Sequence, residues 1–224
     1  MRAMSAENHA KVTQAIAQAE QHTSGEIVTV VADRSDGYSD IALAWSALFA
    51  FTLLTLCAFF PDLVLGPAAV FHDSWNTAWT PSEVFAIASS IGILAFLLAW
   101  LAQFWDGLRF ALVPGSVKTG RAEDRAIDLF KVGAERRTRG RTGVLIYLSL
   151  REHRAEIVAD EAIVEKVDPQ VWGEAMAHML ADIRHGRLAE GLAAGVRDVG
   201  AILAEHFPRA ADDTNEIPDR LIEL

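Results

Sequence analysis

Acidic side chains stand where two apolar runs end. Asp33 follows "EIVTVVA", and Asp160 and Glu161 follow "AEIVA". Carboxylates leaving strand ends can converge, and oxygen ligands of that kind suit Ca²⁺ or Mg²⁺. The same positions suit turn and helix-cap acids that meet only water, because Asp favours both places; both readings stand at this point. Glu26, beside Gly25, could pair with an arginine or simply open a strand in water. His178 and His185 could share a helix face, but Gly186 follows and no third ligand of a zinc site is evident. His153 falls in a polar turn. The chain has no glycine-rich phosphate loop, no nucleophile elbow and no metalloprotease helix.

Composition narrows the partners. The formal net charge is −10 with a pI near 5.1, so the surface repels phosphate backbones and nucleic acid is not an expected partner. The single cysteine, Cys57, allows no disulfide within the chain and no cysteine-based zinc site. The opening "MRAMSAENHAKVTQAIAQAE" lacks the apolar core of a secretory signal. Half the residues are hydrophobic, yet charge is not scarce, so the two kinds must be segregated along the chain. They are: 41–110 is almost uncharged and the charges flank it.

Within that stretch, 41–60 and 84–104 are uncharged runs of about 20 residues, which at about 1.5 Å per residue match the roughly 30 Å hydrocarbon layer. The connection between them is short, so they are expected to form a transmembrane hairpin in contact with membrane lipid. Ser82 is the expected cap of the second span, and 63–71 is apolar enough to lie in or re-enter the membrane. No Lys or Arg occurs between Arg34 and Arg109, while Arg109, Lys118 and Arg121 follow the second span. That bias places both termini in the cytoplasm of a cell-membrane protein. Neither span carries a charge at its middle, which argues against an ion path. Ala42, Ser46 and Ala50, with Ala88, Gly92, Ala95 and Ala99, form small-residue stripes. Such stripes serve close helix packing, either within the hairpin or in a homo-oligomer.

The flanks read as one interrupted domain. A helix is predicted over 5–21, a strand over 26–32, a helix over 121–138 ended by Gly140, and strands over 144–150 and 155–159. Asp168 and Pro169 open a further helix, Gly186 breaks it, and a last helix covers 188–207. One strand cannot stand alone, so the first flank must complete its core with the second. The expected organisation is 1–37 as the first part of the domain, 38–110 as the hairpin, 111–208 as the second part and 209–224 as a polar tail, mobile or surface-bound. The fold class is α/β: a small mixed sheet flanked by helices and interrupted by the hairpin.

The segments "AIAQAEQHTSGEIVTVV" and "LFKVGAERRTRGRTGVLIYLSLREHRAEIVADEAI", with the two closing helices, resemble the TPM domain family over 5–33 and 121–207. The resemblance implies a mixed sheet flanked by helices and, in some relatives, divalent-cation binding and a weak acid-phosphatase activity. In the family, the residues before the Gly-Val-Leu strand are often acidic or amide-bearing. Here they are Arg139, Gly140, Arg141 and Thr142, which would repel a cation; Arg139 or Arg141 could instead grip a phosphate. Two functions follow. The preferred one is a non-catalytic interaction or assembly module that holds a protein partner at the membrane. The alternative is a Ca²⁺- or Mg²⁺-dependent phosphatase using Asp33, Asp160 and Glu161 as ligands.

Overall fold

The computed structural model describes residues 4–71, 78–133, 142–210 and 215–224. The elements, in chain order, begin with α1 (Ala6–Glu20), β1 (Glu26–Ala32), α2 (Ser39–Phe59), α3 (Asp62–Ala68), a 3-10 turn (Ala69–Phe71) and α4 (Pro81–Ala102). They continue through α5 (Asp106–Leu112), α6 (Gly115–Gly133), β2 (Gly143–Ser149), β3 (Arg154–Ala159) and α7 (Glu161–Val164). The chain ends with α8 (Pro169–Arg184), α9 (Leu188–His206) and β4 (Leu221–Glu223). These group into two compact units, Met1–Asp36 with Gly115–Leu224, and Gly37–Pro114.

The first unit is built on a four-stranded sheet of order β3-β2-β1-β4. β1 and β2 are parallel, from Glu26 opposite Gly143 to Ala32 opposite Ser149, and both are buried at every position. Strands covered on both faces need continuous rather than alternating apolarity, which is what "EIVTVVA" and "GVLIYLS" supply. β3 runs antiparallel to β2. One face of the sheet packs Ile27, Val31, Val144 and Ile146 against α1, α8 and α9; the other packs Val28, Val30, Leu145 and Tyr147 against Ala122, Ala126 and Phe130 of α6. Asp168 caps α8 by accepting from Gln170 N–H at 2.9 Å, with Pro169 in its first turn. Gly186 takes the left-handed backbone (φ 78°) that separates α8 from α9. Along α9, Leu192, Val196, Val199 and Leu203 are fully buried, each stabilising the fold by about 1.5–3 kcal/mol.

Two boundaries differ from the sequence reading. Helix α6 starts at Gly115 rather than Arg121, because Pro114 suits the residue ahead of a helix as well as a turn. Its predicted end at Gly140 lies outside the described residues. The tail is not simply polar surface: β4 pairs with β1 in parallel, Thr29 opposite Leu221 to Val31 opposite Glu223, and Ile217 and Leu221 are buried.

The second unit contains two helices long and apolar enough to cross a membrane, Ser39–Phe59 and Pro81–Ala102, with mean hydropathy 2.1 and 2.4. Only 17% and 11% of their most apolar windows are buried, whereas a soluble core helix would be mostly covered. Phe49, Phe51, Phe85, Ile93 and Leu98 point outward. α2 and α4 pack on each other as an antiparallel pair, with Ala42, Ser46, Ala50, Gly92 and Ala95 buried. α4 is capped by Thr80, not Ser82: Thr80 Oγ1 accepts from Glu83 N–H, and Glu83 accepts from Thr80 N–H at 2.8 Å, a reciprocal box that Ser82 cannot form from inside the first turn. The stretch 63–71 is helical, with Leu63 and Val70 exposed.

Candidate functional site

In an α/β unit with parallel strands, the carboxyl ends of those strands are where side chains from several loops can meet. β1 delivers Asp33, Ser35 and Asp36 to that end; β2 delivers Tyr147 and Ser149, the β2–β3 turn delivers Arg151 and Glu152, and β3 opens with Arg154. The chain also leaves this unit here, at Asp36, and re-enters it here, at Gly115, which lies beside the Arg154 guanidinium.

The centre of the site is Glu152, 2% exposed although it comes from a turn. Its Oε1 accepts from Ser35 N–H at 2.8 Å and its Oε2 accepts from the Ser149 hydroxyl. Ser35 Oγ and the Tyr147 hydroxyl share a hydrogen bond of 2.9 Å. Burial raises the Tyr147 phenol above its ordinary range, against the bonds from Ser35 and Ser149, so it stays protonated and can donate. Around this knot, Arg151 Nε donates to Asp33 Oδ2 at 2.9 Å, Arg121 pairs with Asp36 at 3.3 Å, and Arg154 Nε donates to Thr119 Oγ1 at 2.8 Å. Arg154 also donates to the carbonyls of His153 and Glu152, closing a turn in which His153 is exposed with a left-handed backbone (φ 52°). Burial and the neighbouring Glu123 raise the Glu156 carboxyl, while Arg154 opposes them. The knot ties the exit from β1 to the β2–β3 turn. Its carboxylate and hydroxyls are engaged with one another, an arrangement suited to holding two loops in register.

The three acids expected as cation ligands do not meet. Asp33 is at the carboxyl end of β1, bonded to Arg151. Asp160 follows β3, which runs the other way, so it sits at the opposite end of the sheet, where its buried Oδ2 accepts from Gly143 N–H at 2.8 Å. A seven-residue strand separates the two ends, roughly 20 Å at about 3.3 Å per residue. Glu161 begins α7, beside Asp160 and exposed. These residues therefore do not form one Ca²⁺ or Mg²⁺ ligand set, and among the described residues no group of three His, Cys, Asp or Glu is arranged to hold a metal ion. Arg139 and Arg141 lie outside the described residues. Glu26 is buried and accepts from Glu216 N–H at 3.0 Å rather than opening a strand in water. His178 faces Asp198 of α9 at 3.0 Å and His185 is bonded to the Ala181 carbonyl, so the two are held separately. Sequence reading missed Ser35, Tyr147, Ser149 and Glu152. The available signal was the pair of hydroxyls, Tyr147 and Ser149, in an otherwise apolar strand: parallel register puts Tyr147 on the α6 face at the same end as Ser35.

Residues 107–202 match the family model described as the TPM domain. That match covers the sheet's second half and the closing helices but not α1 or β1. Among solved structures, the chain is similar to the NMR structure of the BA42 protein from the psychrophilic bacteria Bizionia argentinensis sp. nov.. The TM-score is 0.56 at 18% identity, covering 99% of this chain and 95% of that one, a likeness of fold. No curated protein matches the chain.

Proposed function

From the premise that residues 107–202 are a TPM domain, we propose that this chain is a membrane-anchored, non-catalytic interaction module. The observation that carries the reading is the buried Glu152 knot. It fills the strand ends where a reacting group would need open, convergent side chains, and it does so beside the two points where the chain departs for the hairpin. The hairpin supplies the anchor: two apolar helices, lipid-facing aromatics, and small residues turned inward on their own partner. Arg34, Arg109, Lys118 and Arg121 flank the spans, and the intervening loop carries Asp62, Asp73 and Glu83 but no Lys or Arg, which supports cytoplasmic termini and a cytoplasmic α/β unit. A unit held this way presents its surface to a protein partner at the membrane.

The test uses the purified full chain in lipid nanodiscs. With Ca²⁺ or Mg²⁺ supplied, turnover of a generic phosphomonoester is expected to stay at the level of empty discs. Metal-dependent hydrolysis abolished by Asp33→Asn or Asp160→Ala overturns the reading. In whole cells, a cysteine placed at Trp79 should react with an impermeant reagent and one at Arg34 should not, in the chain carrying Cys57→Ser; the reverse pattern would invert the proposed orientation.

A further inference from the structure

We propose that residues 215–224 form a pH-sensitive strap over the β1 edge, with Glu20, Glu26 and Asp219 as its latch. Two kinds of contact hold the strap. Apolar anchors come first: Ile217 is buried on the α6 face of the sheet and Leu221 on the α8–α9 face. Backbone pairing comes second. Leu224 N–H donates to the Val31 carbonyl and Asp33 N–H donates to the Leu224 carbonyl, both at 3.0 Å, extending the β4 ladder to the end of β1.

The latch sits at the other end of the strap, around a cavity of about 220 Å³ lined by α1, the start of β1 and the strap itself. Glu20 projects from α1, Glu26 from β1 and Asp219 from the strap; Arg209, after α9, is the cation among the lining residues. Glu26 also accepts from the backbone of Glu216 at 3.0 Å, so the strap lies directly on this cluster. Glu20 Oε1 accepts from Ile27 N–H at 2.8 Å, while its Oε2 is buried with no hydrogen-bond partner among the described residues. Burial, then the charges of Glu26 and Asp219, hold the Glu20 carboxyl up at about 9 against the Ile27 bond. A protonated Glu20 has a proton to offer Asp219, and an ionised one repels it.

The direction follows from linkage. The docked form holds the Glu20 proton more tightly than a free strap would. Docking is therefore most favoured at acid pH, weakens as the pH rises, and reaches its minimum above about 9. As the pH approaches 9, the docked-to-free ratio falls by at most about tenfold per pH unit. Release uncovers the backbone edge of Thr29–Val31, an unpaired edge of the kind that accepts another strand. A second titratable contact, His9 Nε2 to Glu223 Oε1 at 3.2 Å, must be silenced to isolate the latch.

The experiment is a pulsed electron-spin distance measurement on the full chain in nanodiscs, carrying Cys57→Ser and His9→Gln. Labels go on cysteines at Gln14 of α1 and Leu224 of the strap, both exposed. One short distance is expected at pH 5, with a longer, broader population at pH 9.5. Glu20→Gln, which keeps the acceptor for Ile27 and a donor for Asp219, should hold the short distance at both. Asp219→Asn should reduce the swing if Glu20→Gln does not fold. Identical distributions at both pH values, or the same release in Glu20→Gln as in its parent, overturn the proposal.

Discussion

Two helix pairs in this molecule close on each other through small residues, and they do so with opposite outward faces. In the α8–α9 pair, Gly191 and Gly195 let Met179 and Ile183 seat deeply, and the outward faces are polar. In the α2–α4 pair, Ala42, Ser46, Ala50, Gly92 and Ala95 meet, and the outward faces are Phe, Leu and Ile. Water drives the first pair together, because separating it exposes apolar surface. In the membrane setting proposed above, no such drive exists for the second, because a leucine gains little by leaving the acyl chains. The hairpin must instead rely on close contact and on hydrogen bonds that find no competitor nearby. The same residue types thus do different jobs: in the sheet unit they make room for large side chains, and in the hairpin they are themselves the contact.

The sharpest way to break that contrast is to empty the soluble pair. Met179 is fully buried beneath Gly195, so Met179→Ala should lose roughly 2–5 kcal/mol of unit stability, through lost burial and the cavity left behind. Urea unfolding of the full chain in micelles, followed by far-UV ellipticity, reads this as an early transition that leaves the hairpin's helical signal in place. A single transition unchanged from the parent would mean that α8 and α9 do not carry the core.

Filling rather than emptying separates the two pairs. A Cβ at Gly191 would stand 2.6 Å from the Met179 carbonyl oxygen and from Ile183 Cγ1, and a backbone carbonyl cannot step aside. Gly191→Ala is therefore expected to destabilise by about 1–3 kcal/mol despite alanine's better helix propensity. At Gly92 the obstruction is Leu54 Cδ1 at 2.9 Å, the far end of a flexible side chain. Gly92→Ala should come out near neutral, the clash offset by the roughly 1 kcal/mol that alanine gains in a helix. Equal penalties at the two sites, measured by the same unfolding, would remove the distinction between a rigid and a yielding neighbour.

How far the sequence carries varies by region for physical reasons. β1 and β2 were legible because burial on both faces leaves an unbroken apolar run, and α8 because Asp168 and Pro169 are local start signals. The third strand was legible too, but antiparallel pairing throws Asp160 to the end of the sheet opposite Asp33, so acids that look equivalent in sequence are separated in space. β4 escaped because three residues in a polar tail carry no periodicity, and only Ile217 and Leu221 reveal the docking. Glu152 escaped because a turn glutamate looks solvated; what helps bury it is Ser35, delivered beside it by the neighbouring parallel strand β1. The TPM resemblance predicted the architecture of the unit, while the knot depends on particular hydroxyls meeting a particular carboxylate.

The smallest effect tests the hairpin's polar contact. Gln103, just past α4 and 3% exposed, donates through Nε2 to the Ala42 carbonyl, Ser46 Oγ and the Ala99 carbonyl, each at 3.0 Å. Ser46 Oγ in turn donates to the Ala42 carbonyl at 2.8 Å, and Arg109 Nε donates to the Gln103 carbonyl at 2.9 Å. Gln103→Leu keeps the bulk and removes the donors, and it should weaken α2–α4 association by about 1–2 kcal/mol, toward the upper end for hydrogen bonds between membrane helices. Ser46→Ala removes one acceptor and leaves Gln103 its two carbonyls, so about 0.6 kcal/mol is expected. The double variant should lose less than the two singles together, because both act through one contact. Steric trapping or unfolding in mixed micelles measures all three. Strict additivity would show that Gln103 acts through the carbonyls alone and that Ser46 belongs to the hairpin as a small residue, not as a hydrogen-bonding one.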